Sequence, residues 1–337
     1  MKTKRFSTLI LFAFFGGPLA APGPAAAAEA GGSSTVCKSG LERKAEPIVD
    51  GIELIEESCA DPLYHAFLAR VGLASDRYEV ITTPAKMIYT EVDKFGEKTG
   101  SIVATNGGFY GPKHGGWFMS FGQEKGSFVD NEHTSVVAFG KNDKGGIRSK
   151  LFPPGHVMPK GGGAPDWIVH GLTGIPVLLH EGKILTTYPP DDLELFKKGQ
   201  SPDSKEASDM WKKRNPRTGV GFSKDGAWMM MVVVDGRQKD WSMGMSVKSF
   251  AQLLKDHDAW NALNLDGGCS SAMYVGKKGG FVSSPCMPKG KLRNVATHLA
   301  VVPVKKDKSA SSVLRLLALL NPLRHLAGRL MKFSFIT

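Results

Sequence analysis

Cysteine is scarce in this chain, and no two of its four cysteines form a Cys-x-x-Cys pair. Zinc ribbons and thioredoxin-like redox chemistry therefore lack their thiols. The nine histidines contain no His-x-x-x-His spacing, so no metal is assigned. A P-loop, a Gly-x-Ser-x-Gly elbow and a Gly-x-Gly-x-x-Gly turn after a strand are all missing. Nucleotide-motor, serine-hydrolase and dinucleotide-cofactor readings go with them, and no cofactor is assigned. Long apolar runs occur only at the two ends, which excludes a polytopic membrane protein.

A strong charge of one sign is also missing from the body. The formal net charge is +11. Residues 31–304 nevertheless carry 33 Lys and Arg against 30 Asp and Glu, and the excess sits at the ends. A nucleic-acid partner gains no support from the charge.

What is present begins with an export signal over residues 1–30. Lys2, Lys4 and Arg5 precede the apolar run Leu9 to Phe15, and Ala28-Glu29-Ala30 offers a small-residue cleavage site. The run is shorter than the ~20 residues of a spanning helix. The expected location is secreted or periplasmic, where an even number of cysteines forms disulfides. Four cysteines allow three pairings; local pairing of Cys37 with Cys59 and Cys269 with Cys286 is expected.

Residues 31–79 read as an N-terminal extension and 80–304 as the main domain. Strands are expected at Val80 to Thr83, Ile102 to Ala104 and Val136 to Phe139. A Gly/Pro-rich loop covers 153–165, and an exposed helix or insertion falls near Leu193 to Lys198. The run Trp228 to Val234 predicts a buried strand ending in Asp235-Gly236-Arg237. Ser246 caps a helix with apolar positions Val247, Phe250, Ala251 and Leu254. A second strand, Ala262 to Leu265, ends in Asp266-Gly267-Gly268. This β-α-β unit predicts two neighbouring parallel strands, with Asp235 and Asp266 at one sheet edge, where ligands bind in open α/β sheets. The tail, 305–337, is basic and amphipathic, and its 313–332 stretch is compatible with contact at a membrane surface.

Chemistry concentrates at Asp266-Gly267-Gly268-Cys269-Ser270-Ser271. Such a turn can offer successive amides and two hydroxyls to an anion, or it is a structural strand-to-loop turn. Arg217, Arg237 and Arg293 are candidates to grip phosphate or carboxylate.

Several blocks, in order, resemble the phosphodiester glycosidase family, the group typified by the uncovering enzyme and widespread in exported bacterial proteins linked to exopolysaccharide. They are Asn106-Gly107-Gly108-Phe109-Tyr110, Gly174-Ile175-Pro176-Val177-Leu178, Pro216-Arg217-Thr218-Gly219, Val234-Asp235-Gly236-Arg237, Leu265-Asp266-Gly267-Gly268-Cys269-Ser270-Ser271 and Arg293-Asn294-Val295. Cys269 stands where the family has a third glycine, and Thr297 where it has asparagine. The resemblance implies an α+β fold: a mixed β-sheet core, a few covering helices and long Gly/Pro-rich loops. It implies hydrolysis of a sugar-1-phosphodiester in envelope or exopolysaccharide glycans. Asp266 and Asp235 are then the catalytic carboxylates, in either order of roles. Asn106, Gly107, Gly108, Arg217, Thr218, Arg237, Gly267, Gly268, Ser270, Ser271 and Arg293 are expected to hold substrate or phosphate. The competing readings are a non-catalytic binder of anionic polysaccharide and a metal-dependent phosphodiesterase.

Overall fold

The computed structural model describes residues 34–109, 117–126, 135–152, 165–185 and 212–304. The expected signal at 1–30, most of the 153–165 loop, the insertion near Leu193 to Lys198 and the tail lie outside the described residues.

The first strands are β1 (Ser39–Val49), β2 (Ile52–Asp61), β3 (Tyr64–Gly72), β4 (Tyr78–Thr82), β5 (Val103–Asn106) and β6 (Trp117–Ser120). Next come β7 (Gln123–Gly126), β8 (Ser135–Lys141), β9 (Ile147–Phe152), β10 (His170–Gly174), β11 (Val177–His180) and β12 (Lys183–Ile184). The last are β13 (Arg217–Phe222), β14 (Trp228–Val234), β15 (Asn261–Asn264), β16 (Met273–Val275), β17 (Gly280–Phe281) and β18 (His298–Pro303). Among the described residues two α-helices accompany them, α1 (Val92–Thr99) and α2 (Val247–Asp256). None of the described helices is long and apolar enough to cross a membrane.

An eight-stranded sheet has the order β1-β2-β3-β14-β13-β15-β11-β12; two five-stranded sheets run β7-β6-β10-β8-β9 and β17-β16-β5-β18-β4. The uninterrupted apolar run of β14 reflects burial on both faces. Met229, Met231 and Val233 enter a core shared with Val103, Phe118, Val137, Leu172 and Val301 of the five-stranded sheets. Met230, Val232 and Val234 face the other way, against Phe250, Leu253 and Leu254 of α2. Ser246 caps α2 as expected, its Oγ accepting from the Ser249 amide at 3.1 Å.

Strands are expected as a mixed sheet with β14 beside β15, and both points need correction. Every pairing between the named strands is antiparallel. β14 and β15 do run in the same direction, but β13 lies between them, antiparallel to both. The β13 sequence hides it, because Gly219 and Gly221 depress strand propensity. Those glycines suit a strand beneath a helix: a Cβ at Gly219 would stand 2.8 Å from the Phe250 ring.

The segment read as an extension supplies β1–β3, and β3 pairs along the whole of β14. Its strands are tied to α2 by a buried polar cluster. The Glu57 carboxylate receives Tyr64 Oη at 2.6 Å, His257 Nε2 at 2.8 Å and Arg43 Nη2 at 2.7 Å. Burial works to raise the Glu57 carboxyl, but these partners outweigh it and hold it below the ordinary value. Both disulfides form as expected, Cys37–Cys59 and Cys269–Cys286.

Candidate active site

Antiparallel order brings three chain segments to one edge of the large sheet: the start of β13 and the exits of β14 and β15. Side-chain alternation then sorts them by face. Arg217 stands opposite Val234, which packs toward α2. Gly219 stands opposite Asn264, so Asp266, two residues further, falls on the same side as Arg217. Asp235 follows Val234 by one residue and falls on the opposite face.

A cavity of about 480 Å³ opens there, lined by Phe109, Lys213, Asn215, Arg217, Arg237, Asn264, Asp266, Gly267 and Gly268. That volume is usual for small-molecule sites. Three cations face one carboxylate, so the lining favours an anionic ligand. Arg217 is buried, donating from Nε to the Met245 carbonyl at 2.9 Å and from Nη2 to the Lys213 carbonyl at 3.1 Å. Burial, then the charge of Arg237, lowers its pKa to about 10, and it stays protonated at neutral pH. Two guanidiniums held this close repel each other, and an anion between them relieves that cost.

Arg237 reaches the cavity from a left-handed position, φ 59°, after Gly236. A Cβ on Gly236 would sit 2.6 Å from the Pro216 nitrogen, so only glycine lets the turn pack there. The Arg237 guanidinium is held by Asn215 Oδ1, at 3.1 Å from Nε and 3.0 Å from Nη2.

Of the expected site residues, Arg217, Arg237, Asp266, Gly267 and Gly268 line the cavity. Others stand behind it. Asn106 is fully buried; its Nδ2 donates to the Asp266 carbonyl at 2.6 Å, and its Oδ1 accepts from Thr218 Oγ1 at 2.8 Å. Thr218 Oγ1 also meets Ser271 Oγ at 3.1 Å. These groups position the Asp266 turn. Gly107 accepts the Asp266 amide at 3.1 Å, and a Cβ on Gly108 would fall 1.7 Å from the Thr173 carbonyl oxygen. Both glycines serve close packing in this arrangement. Ser270 is buried. Three amides of the expected anion-binding turn are committed to backbone carbonyls instead: Gly268 donates to Pro216, Ser270 to Gly267 and Ser271 to Gly268. Arg293 is exposed and outside the lining.

Asp235 is the main departure. It is 1% exposed and does not line the cavity. Its Oδ2 accepts from Trp241 Nε1 at 2.7 Å and from the Ser284 amide at 2.9 Å. It thereby ties the loop of Arg237 to the loop closed by the Cys269–Cys286 bridge. Burial raises its pKa to about 7 despite those two donors, with Glu56 adding to the rise. A carboxyl raised on folding favours the folded state below its unfolded value of about 3.8 and loses that advantage as pH climbs to about 7. The melting temperature of Asp235→Asn should therefore depend less on pH between about 4 and 7 than that of the wild type. Its turnover should stay within about tenfold of wild type; a loss as deep as that of an Asp266 variant would restore Asp235 as a catalytic carboxylate.

Lys213 lies in a charged stretch of the sequence; Phe109 sits inside a family block, and Asn215 and Asn264 each immediately precede one. Among the described residues, no group of three or more His, Cys, Asp or Glu could hold a metal ion.

A cationic cavity with an acidic side chain at its wall suits an anionic ligand. The phosphodiester glycosidase family model matches residues 99–302, and the chain belongs to that family of enzymes. The fold agrees with the zebrafish N-acetylglucosamine-1-phosphodiester α-N-acetylglucosaminidase catalytic domain, auto-inhibited by its pro-peptide, at a TM-score of 0.52 and 21% identity. That match covers 80% of this chain and 84% of the other. A putative exported protein from Burkholderia pseudomallei matches at a TM-score of 0.53 and 14% identity, over 72% and 74% of the two chains. A hypothetical protein from Synechocystis matches at 0.50 and 15%, over 77% and 63%. No curated protein matches the sequence.

Proposed function

We propose that this enzyme is exported and hydrolyses a sugar-1-phosphodiester of an envelope or exopolysaccharide glycan, of the N-acetylglucosamine-1-phosphodiester kind. The observation that carries the reading is the grouping of Lys213, Arg217 and Arg237 with Asp266 around one cavity. The phosphodiester lies against the cations, which stabilise charge as it gathers on the departing phosphate oxygen. A phosphate is a good leaving group once neutralised, so little general-acid help is required. Asp266 faces the anomeric carbon. It takes the proton of the attacking water as the C1–O bond breaks, and the bond's electron pair leaves with the phosphomonoester. Asn106 and Gly107 hold its backbone in place. Two disulfides support the exported location, since such bonds persist in oxidising compartments.

Hydrolysis of a nucleotide-sugar in oxygen-18 water tests the bond cleaved. The label is expected in the released sugar. Label in the phosphate would mean P–O cleavage, and loss of turnover with a chelator would favour a metal-dependent phosphodiesterase. Retention of substrate without any turnover would leave the polysaccharide-binder reading.

A further inference from the structure

Between β14 and α2 the chain makes a tight turn with an unusual surface. Gln238 and Ser242 exchange backbone hydrogen bonds at 2.9 Å each way, and Ser242 Oγ donates to the Asp235 carbonyl at 2.6 Å. Ser242 is fully buried, whereas Trp241 and Met243 on either side of it are 39% and 40% exposed. Two large apolar side chains left partly in solvent on so well anchored a turn form a small fixed apolar patch.

The Trp241 ring is fixed in direction. Its indole N–H is committed to Asp235 at 2.7 Å. One ring face stacks on His65, centroids 4.0 Å apart and planes 23° from parallel. His65 is backed in turn by Phe67 at 5.1 Å and held by Glu56 at 2.8 Å. Among the described residues His65 is the only ring partner of Trp241. A rigid indole with one backed face and substantial exposure loses little conformational entropy when a flat ligand covers it.

We infer that Trp241, with Met243 beside it, is a stacking platform for a sugar ring of the glycan next to the hydrolysed unit. The inference rests on the glycan reading of the substrate. Pyranose rings present an axial C–H face that matches an indole in area and polarity, while their hydroxyls remain in water. One loop carries both the platform and a cavity cation, because Arg237, four residues before Trp241, lines the cavity. Asp235 thus acts at the junction: it orients the platform and braces the loop that presents the phosphate-gripping arginine.

The test uses the full chain carrying Asp266→Asn, so that binding is read without turnover, and an N-acetylglucosamine hexasaccharide as probe. Calorimetry should show saturable binding that Trp241→Ala weakens about tenfold and Trp241→Phe weakens less. Equal binding by the alanine variant, or no binding of the hexasaccharide by the parent, would overturn the inference. Hydroxyl-radical footprinting of the chain with Trp241 intact covers the case in which a variant fails to fold. Oxidation of Trp241 and Met243 should fall when the hexasaccharide is added; unchanged oxidation at saturating probe would also overturn it. Hexasaccharide protection at Trp241 in a chain that cleaves no sugar phosphodiester would sink the proposed reaction and leave the platform standing.

Discussion

Asp266→Asn should lower kcat on a nucleotide-sugar or aryl sugar-phosphodiester by about 10³-fold while leaving KM within a few-fold of wild type. Among the described residues Asp266 is the only carboxylate in the cavity lining. Its position is imposed by bonds on both sides of the residue: the Asn106 amide on its carbonyl at 2.6 Å and the Gly107 carbonyl on its N–H at 3.1 Å. Asparagine preserves size and those backbone contacts but cannot take up a proton from water. The cationic grip on phosphate remains, so ground-state binding changes little. Initial rates with a thermal-melt control check this, and an Asp266→Asn enzyme retaining more than about a tenth of its turnover would remove the residue from the chemistry.

Arg217→Met should lower kcat/KM by about 10²–10³-fold, the range for deleting one group that stabilises developing charge. Arg217→Lys should recover only part of it. The guanidinium spans the Met245 and Lys213 carbonyls, so its plane is set before substrate arrives. A lysine ammonium cannot bridge those acceptors and face a phosphate as a fork. Inhibition by inorganic phosphate should weaken in parallel, since phosphate mimics the phosphomonoester product that the same cation meets. Removing one of two mutually repelling cations also spares the folded protein a cost, so the melting temperature should fall less than burial of the side chain alone suggests. Unchanged phosphate inhibition in Arg217→Met would place the anion elsewhere.

Much of the local structure was readable from the sequence. The apolar run at Trp228 and the capped amphipathic pattern at Ser246 became β14 and α2 because both are decided by short-range periodicity. The family blocks located most of the cavity wall. Sheet order was not readable: Arg217 to Phe222 carries two glycines and no strong alternation, so nothing announced a strand between β14 and β15. That omission propagated to the site. Two acids at the ends of codirectional strands share an edge, but they share a face only if strand register places them on the same pleat. Asp266 lies an even number of residues from a position matched to the Arg217 side; Asp235 lies an odd number. Likewise, a Gly-Gly-x-Ser-Ser turn looks identical in sequence whether its amides point to a ligand or, as three of them do here, to backbone carbonyls. Lys213 was concealed because a cleft cation and a solvated one read alike within a charged stretch.

The pairing of β3 along β14 reaches beyond architecture. Residues 99–302 carry the family likeness, yet a fragment cut to those limits would lose β1–β3 and leave β14 as a bare margin of the sheet. That margin would be a ladder of unpaired backbone groups bearing methionine and valine, which invites association between copies. The smallest unit able to stand alone therefore begins upstream of the recognisable signature, and expression boundaries drawn from likeness alone would cut through the protein's own foundations.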